Sequence, residues 1–317
     1  MSDERATGSL EEYITIRRSL GFKLPDLGSR LRSFVDFAQG EGASYITTEL
    51  ALRWAQLPHE AQPATWAARL ALVRRFAAWR SATDPRTQVP SEGLLPHRFR
   101  RARPYIYSDD EISRIVLTAG ELASAKGLRS RTYSTLFGLL AVTGMRVSEA
   151  VSLDRTDVDP EARVLTIRQT KFGKTRLVPV QPSTRDALRA YGQQRDQIVR
   201  VSLTSGFFVS EHGTRITADA ARYTFAKVSR EIGLRAPVKD RRHGHGPRLH
   251  DMRHRFAVRT LIDWYQAGLD VEREIPKLAT YLGHVHVHDT YWYLEAVPEL
   301  LALATQRLLD QHEEVGS

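Results

Sequence analysis

The sequence predicts a mainly α-helical chain with one small antiparallel β-sheet, divided into two domains. Three observations lead there. Apolar residues recur at helical spacing along most of the 317 residues. A single pair of short runs alternates with a period of two, on either side of a glycine-containing turn. Residues 81–104 carry Pro85, Pro90, Pro96, Pro104 and a burst of arginine, as a boundary between domains does.

The elements follow in order. Ser9 with Glu12 reads as a capping box opening a first helix, with Tyr13, Ile16 and Leu20 on its face and Gly21 as its stop. A second helix spans residues 27–39 around Leu31, Phe34, Val35 and Phe37. Thr47 or Thr48 caps a third, short helix through Trp54, and Trp66, Leu70, Val73 and Phe76 line a fourth. These four make an all-α domain, residues 1–80. Residues 81–104 form a linker, and a second domain covers 105–317. Ser108 and Glu111 repeat the capping box. Helices follow over about 132–142 and from Arg146 through Ala150. Residues 164–169 alternate as a strand, Lys171-Phe172-Gly173-Lys174 turns, and Leu177-Val178-Pro179-Val180 returns as an edge strand that tolerates its proline. Helices are then expected near 183–199, 217–232, 251–267, 275–282 and 298–310. The last carries Leu300, Leu301, Leu303, Leu308 and Leu309, which must pack on its own domain or on a neighbour.

No apolar run approaches the roughly 20 residues of a membrane helix, and the first residues lack the basic-then-apolar pattern of a secretory leader. There are no cysteines, which excludes disulfides and thiolate metal sites. A cytoplasmic, nucleoid-associated protein is expected. The net charge is +9 and the pI 9.9, which favours a polyanionic partner through attraction and counterion release. Only 7 of the 46 basic residues are Lys. Arginine offers phosphate a planar fork of donors, which suits nucleic acid. The densest run holds Arg98, Arg100, Arg101 and Arg103, either as a solvated charged linker or, as the motifs further along the chain favour, as a segment lying along a DNA backbone. Arg241 and Arg242 lie in a glycine-loosened loop before His250, which reads equally as a plain solvated loop or as a contact to the DNA backbone.

Five short patterns occur in sequence. Thr143-Gly144-Met145-Arg146 precedes Ser148-Glu149, then comes the hairpin with Lys171 and Lys174 and the return Arg176-Leu177-Val178-Pro179. His250-Asp251-Met252-Arg253-His254 follows, then Leu282-Gly283-His284, and Tyr293 nine residues beyond. His250 and Arg253, three apart, share a helix face. The set contains what metal-free phosphodiester exchange needs. Fixed cations must await the charge that grows on the non-bridging oxygens, and arginine binds two oxygens while staying charged. A proton must leave the nucleophile and another must reach the departing oxygen. A phenol that attacks phosphorus conserves the diester as a covalent intermediate. Each pattern alone has a bland reading: Arg146 paired to Glu149, a surface His-Arg pair, one more ring among Tyr291, Trp292 and Tyr293. His284, His286 and His288 would share a face of a strand, but no cysteine or carboxylate pattern supports a metal site.

In this order the patterns closely resemble the tyrosine recombinase (phage integrase) family, over roughly 105–300. The resemblance implies an α-helical N-terminal core-binding domain and an α+β catalytic domain closing on double-stranded DNA as a C-shaped clamp. It implies that Arg146 and Arg253 clamp the phosphate and that His250 assists proton transfer and binds the phosphate. His284 hydrogen-bonds the same phosphate, and Glu149 supports Arg146. Lys171, ahead of the glycine, is the general acid, which leaves Lys174 as a backbone contact. Tyr293, by its spacing from His284, is the nucleophile of a 3′-phosphotyrosyl intermediate, and Tyr291 is a packing residue. It further implies no cofactor and no metal, a homotetramer in the synaptic complex, and site-specific DNA integration or recombination, with a mobile element as a carrier of the gene. The rivals are a type IB topoisomerase, an inactive DNA-binding module and a metal-dependent hydrolase. The compact first domain and the filled reactive positions favour the recombinase.

Overall fold

The structure is a computed structural model that describes residues 2–22, 24, 27–95, 103–168, 175–200, 203–237 and 246–305. The chain forms two compact units, Met1–Ala102 and Arg103–Ser317.

Among the described residues the first unit holds four helices: α1 (Ser2–Ser19), α2 (Leu27–Gly40), α3 (Thr48–Gln56) and α4 (Pro63–Arg80). Thr47 caps α3, its hydroxyl accepting from the Leu50 N–H at 3.1 Å. Pro63 opens α4 where a missing N–H is harmless. Trp54, Phe34, Leu31 and Val73 fill the core, and Phe34 meets Trp54 edge to face. Helix α1 departs from expectation. It runs through Ser9 without a break; Ser9, Leu10, Tyr13 and Ile14 are buried, while Ile16 and Leu20 are exposed. The Ser-x-x-Glu pattern also occurs inside helices, so it marks a start only where the chain turns. Residues 83–95 pack back on the unit: Asp84 and Thr87 are buried, and the Gln88 N–H donates to the Ile46 carbonyl.

The second unit contains α5 (Asp109–Gly120), α6 (Leu128–Thr143), α7 (Val147–Ser152), α8 (Pro182–Ile198), α9 (Ala218–Glu231), α10 (Asp251–Gln266), α11 (Val271–Leu282) and α12 (His288–Ala296). The capping box at Ser108 and Glu111 forms as read. Three strands, β1 (Val158–Asp159), β2 (Val164–Ile167) and β3 (Arg176–Pro179), make one antiparallel sheet in that order. Strand β3 is an edge strand, and Pro179 sits on it opposite Val164. The two-residue β1 escapes sequence reading because it is too short to show a period. Two apolar clusters hold the unit together. One is built on α6, with Phe137, Leu136 and Phe225. The other joins the later part of α10 to α11, α12 and residues 297–300. Helix α10 feeds both, with Met252 in the first and Val258 and Leu261 in the second.

Residues 284–287 are not a strand, so the alternating His284, His286 and His288 share no sheet face, and His288 opens α12. Helix α12 itself is absent from the expected series. Residues 298–305 are helical. No helix among the described residues is long and apolar enough to cross a membrane.

Candidate active site

The site grows from two helix ends that α10 pins side by side. Helix α6 stops at Gly144, whose left-handed conformation (φ 60°) turns the chain toward α7. A Cβ on Gly144 would stand 2.6 Å from the Phe256 ring of α10, so only glycine lets α10 close on this turn. Helix α11 stops the same way at Gly283 (φ 68°). Arg253 ties both ends together. Its guanidinium donates to the Gly144 carbonyl at 2.9 Å and to the Leu282 carbonyl at 2.8 Å. Arg253 is 2% exposed. Burial, and then the neighbouring Arg146 charge, lower its pKa to about 10, so it stays charged at neutral pH.

Arg146 lies just before α7 and is partly exposed. It donates to the Gly283 carbonyl at 3.1 Å and to Glu149 at 2.8 Å. Glu149 also accepts the Arg146 backbone N–H, and it takes a two-pronged salt bridge from Arg176 at 3.0 and 2.8 Å. Burial alone would raise the Glu149 carboxyl. Arg176, by hydrogen bond and charge, and then Arg146 outweigh that and hold it at about 2. Arg176 also donates to the Tyr281 carbonyl, and its guanidinium lies where a Cβ on Gly283 would be, 2.8 Å away.

His250 precedes α10. The residue is exposed, yet desolvation of its ring by the surrounding protein, and then Arg253, lower its pKa to about 4. His284 is held by Thr290, Nδ1 to Oγ1 at 2.7 Å, and its ring lies 6.4 Å from that of Tyr293, nearly parallel. Tyr293 is 1% exposed and its Oη is 3.1 Å from Nδ1 of His254.

The structure thus places Arg146, Glu149, His250, Arg253, His284 and Tyr293 around one junction of α6, α10, α11 and α12. Arg103 is exposed at the start of the second unit. Lys171, Lys174, Arg98, Arg100, Arg101, Arg241 and Arg242 lie outside the described residues. Tyr291 is not the packing residue expected. It is 36% exposed, whereas Tyr293 takes the core position. Two residues of the cluster went unassigned in the sequence. Arg176 carries a signal in its parity, two residues before buried Val178 on the same strand face. His254 sits one helical turn from His250, which puts it beside the site but does not reveal its partner.

The phage integrase family model matches residues 107–299. The chain is 50% identical over 310 residues to the putative integrase/recombinase y4rB of Sinorhizobium fredii, spanning 96% of this chain and 98% of that one. It is 32% identical to the tyrosine recombinase XerD of Mycobacterium tuberculosis, over 70% of this chain and 65% of that protein. The fold matches the Tn1549 transposon integrase, solved in complex with transposon right end DNA. The TM-score is 0.64 at 14% identity, over 95% of this chain and 99% of that one. At that identity the likeness is one of fold.

Proposed function

The chain belongs to the phage integrase family, and we propose that it is a site-specific tyrosine recombinase acting on double-stranded DNA. It cleaves and rejoins strands through a covalent 3′-phosphotyrosyl intermediate. One observation supports the reading most. Two cationic side chains, Arg146 and Arg253, are anchored to the ends of two helices by carbonyl groups of Gly144, Leu282 and Gly283, within one cluster with Tyr293. Cations fixed before substrate arrives need no reorganisation as charge develops on phosphorus.

In this reading Arg146 and Arg253 bind the non-bridging oxygens. Glu149 holds Arg146 in place, and Arg176 holds Glu149. His250, neutral at pH 7, and His284 hydrogen-bond the phosphate. Tyr293 Oη attacks phosphorus, and Lys171 protonates the departing 5′ oxygen. Arg98, Arg100, Arg101, Arg103, Lys174, Arg241 and Arg242 contact the backbone. Residues 1–80 serve as the core-binding domain, residues 81–104 as the basic linker, and four protomers assemble on paired sites. The enzyme works on DNA in the nucleoid.

The test is covalent capture. A library of nicked random-sequence duplexes is incubated with the wild type, and adducts that survive denaturation are recovered. Tyr293→Phe is expected to yield none while retaining DNA binding. An adduct formed by that variant would overturn the assignment.

A further inference from the structure

One buried titratable group beside the reacting phenol has no part in the mechanism above. His254 is 5% exposed, and its Nδ1 faces Tyr293 Oη at 3.1 Å. Its Nε2 faces Asp251 Oδ1 at 3.9 Å. Asp251 is 2% exposed and is fixed by the Arg248 backbone N–H at 2.7 Å and the Arg248 guanidinium at 3.0 Å. The rings of His250 and Trp292 meet the imidazole edge to face, with centroids 4.9 and 5.6 Å away. The ring therefore lies between a carboxylate and a phenol, one nitrogen toward each.

We propose that His254 takes the proton from Tyr293 as the phenol attacks phosphorus, with Asp251 balancing the imidazolium that results. This rests on Tyr293 being the nucleophile. The neutral tautomer with hydrogen on Nε2 points that hydrogen toward Asp251 and leaves the Nδ1 lone pair for the phenol. In cleavage the Oη–H bond breaks, the proton moves to Nδ1, and an oxygen lone pair forms the O–P bond. The P–O5′ bond breaks with its electrons going to O5′, which takes the proton supplied by Lys171. In rejoining, the 5′ hydroxyl attacks phosphorus and its proton returns to Lys171, the P–Oη bond breaks with its electrons going to Oη, and Nδ1 returns the proton to Oη. The need for such a group follows from burial. A phenol 1% exposed has no bulk water at hand to receive its proton. His250 is the other imidazole nearby. Its low pKa makes it a weak acceptor at neutral pH and suits it to the phosphate.

The experiment uses the duplex captured by the wild type and measures the rate of adduct formation by the full chain. His254→Gln is expected to slow it roughly 100-fold or more, the size of a lost general base, with DNA binding unchanged. Placing a fluorinated tyrosine at position 293 lowers the acidity barrier of the phenol. It is expected to restore about tenfold or more of that loss in His254→Gln and to change the wild-type rate little. His254→Asn gives the same comparison if the glutamine variant does not fold. Cleavage at the wild-type rate by either variant overturns the proposal. So does a loss that fluorination leaves untouched, which would make His254 a packing residue. These outcomes leave the nucleophile assignment standing, whereas an adduct from Tyr293→Phe removes both.

Discussion

Among single residues, Glu149 has the most to lose. Its side chain is nearly buried, and Arg146 and Arg176 supply the charge that makes it stable as a carboxylate. Removing one partner of a buried pair costs more than the pair contributes, because the remaining charge is left without compensation. Arg146 stays as a partner of Glu149, so Arg176→Met is expected to lower the unfolding free energy by up to about 3 kcal/mol at neutral pH. The folded carboxyl titrates below its ordinary value of 4.5, so the stabilisation is present above that value and is lost as pH falls toward about 2. Urea unfolding of the two proteins at neutral pH and at about pH 3 should show the gap narrowing at the lower pH. Lys171→Ala is expected to slow cleavage of ordinary DNA and to recover on a 5′-thio leaving group, which departs without a proton. Recovery seen with Lys174→Ala instead would move the acid to that residue. The sequence announced Glu149 and Arg146 by motif. It hid the second half of the network, because Arg176 reaches Glu149 across 27 positions of chain.

The elements that matter most here are the two glycine-terminated helix ends. Gly144 combines a left-handed backbone with a ring where its Cβ would be. Gly144→Ala meets both penalties and is expected to cost at least about 2 kcal/mol and to depress adduct formation. Thermal unfolding beside the capture assay measures the two effects. The helix cap at Thr47 is a milder case: Thr47→Ala should cost about 1 kcal/mol of stability in the first unit, with no change at the site. Long, strongly periodic helices such as α2, α8 and α10 were legible within a residue or two. Helix α12 was not. Its nine residues, His288–Ala296, mix apolar rings with His288, Asp289 and Thr290, so they carry no period that separates helix from turn. Helix α1 was legible as a helix but not in its face, since which of Ile14 and Ile16 turns inward depends on where α2 and α4 lie.

At the scale of the whole molecule, charge and burial act on different sites. DNA affinity is expected to fall steeply with salt as Lys and Arg displace counterions from the phosphates, and titration of binding between about 50 and 200 mM salt should show it. Adduct formation is expected to survive EDTA; a loss restored by Zn²⁺ would revive a metal reading of the histidines. The sequence by itself determined the fold class and the order of the reactive residue types. Helical and strand periods are local, and motif order is written along the chain. Only the tertiary structure decided which side chains meet: that α10 closes on Gly144 and joins two helix ends through Arg253, and that Tyr293 is buried while Tyr291 is exposed. It also decided that His254 lies against the phenol. Each of these depends on distances between residues far apart in sequence, set by packing of two cores against one helix, and no local pattern encodes them.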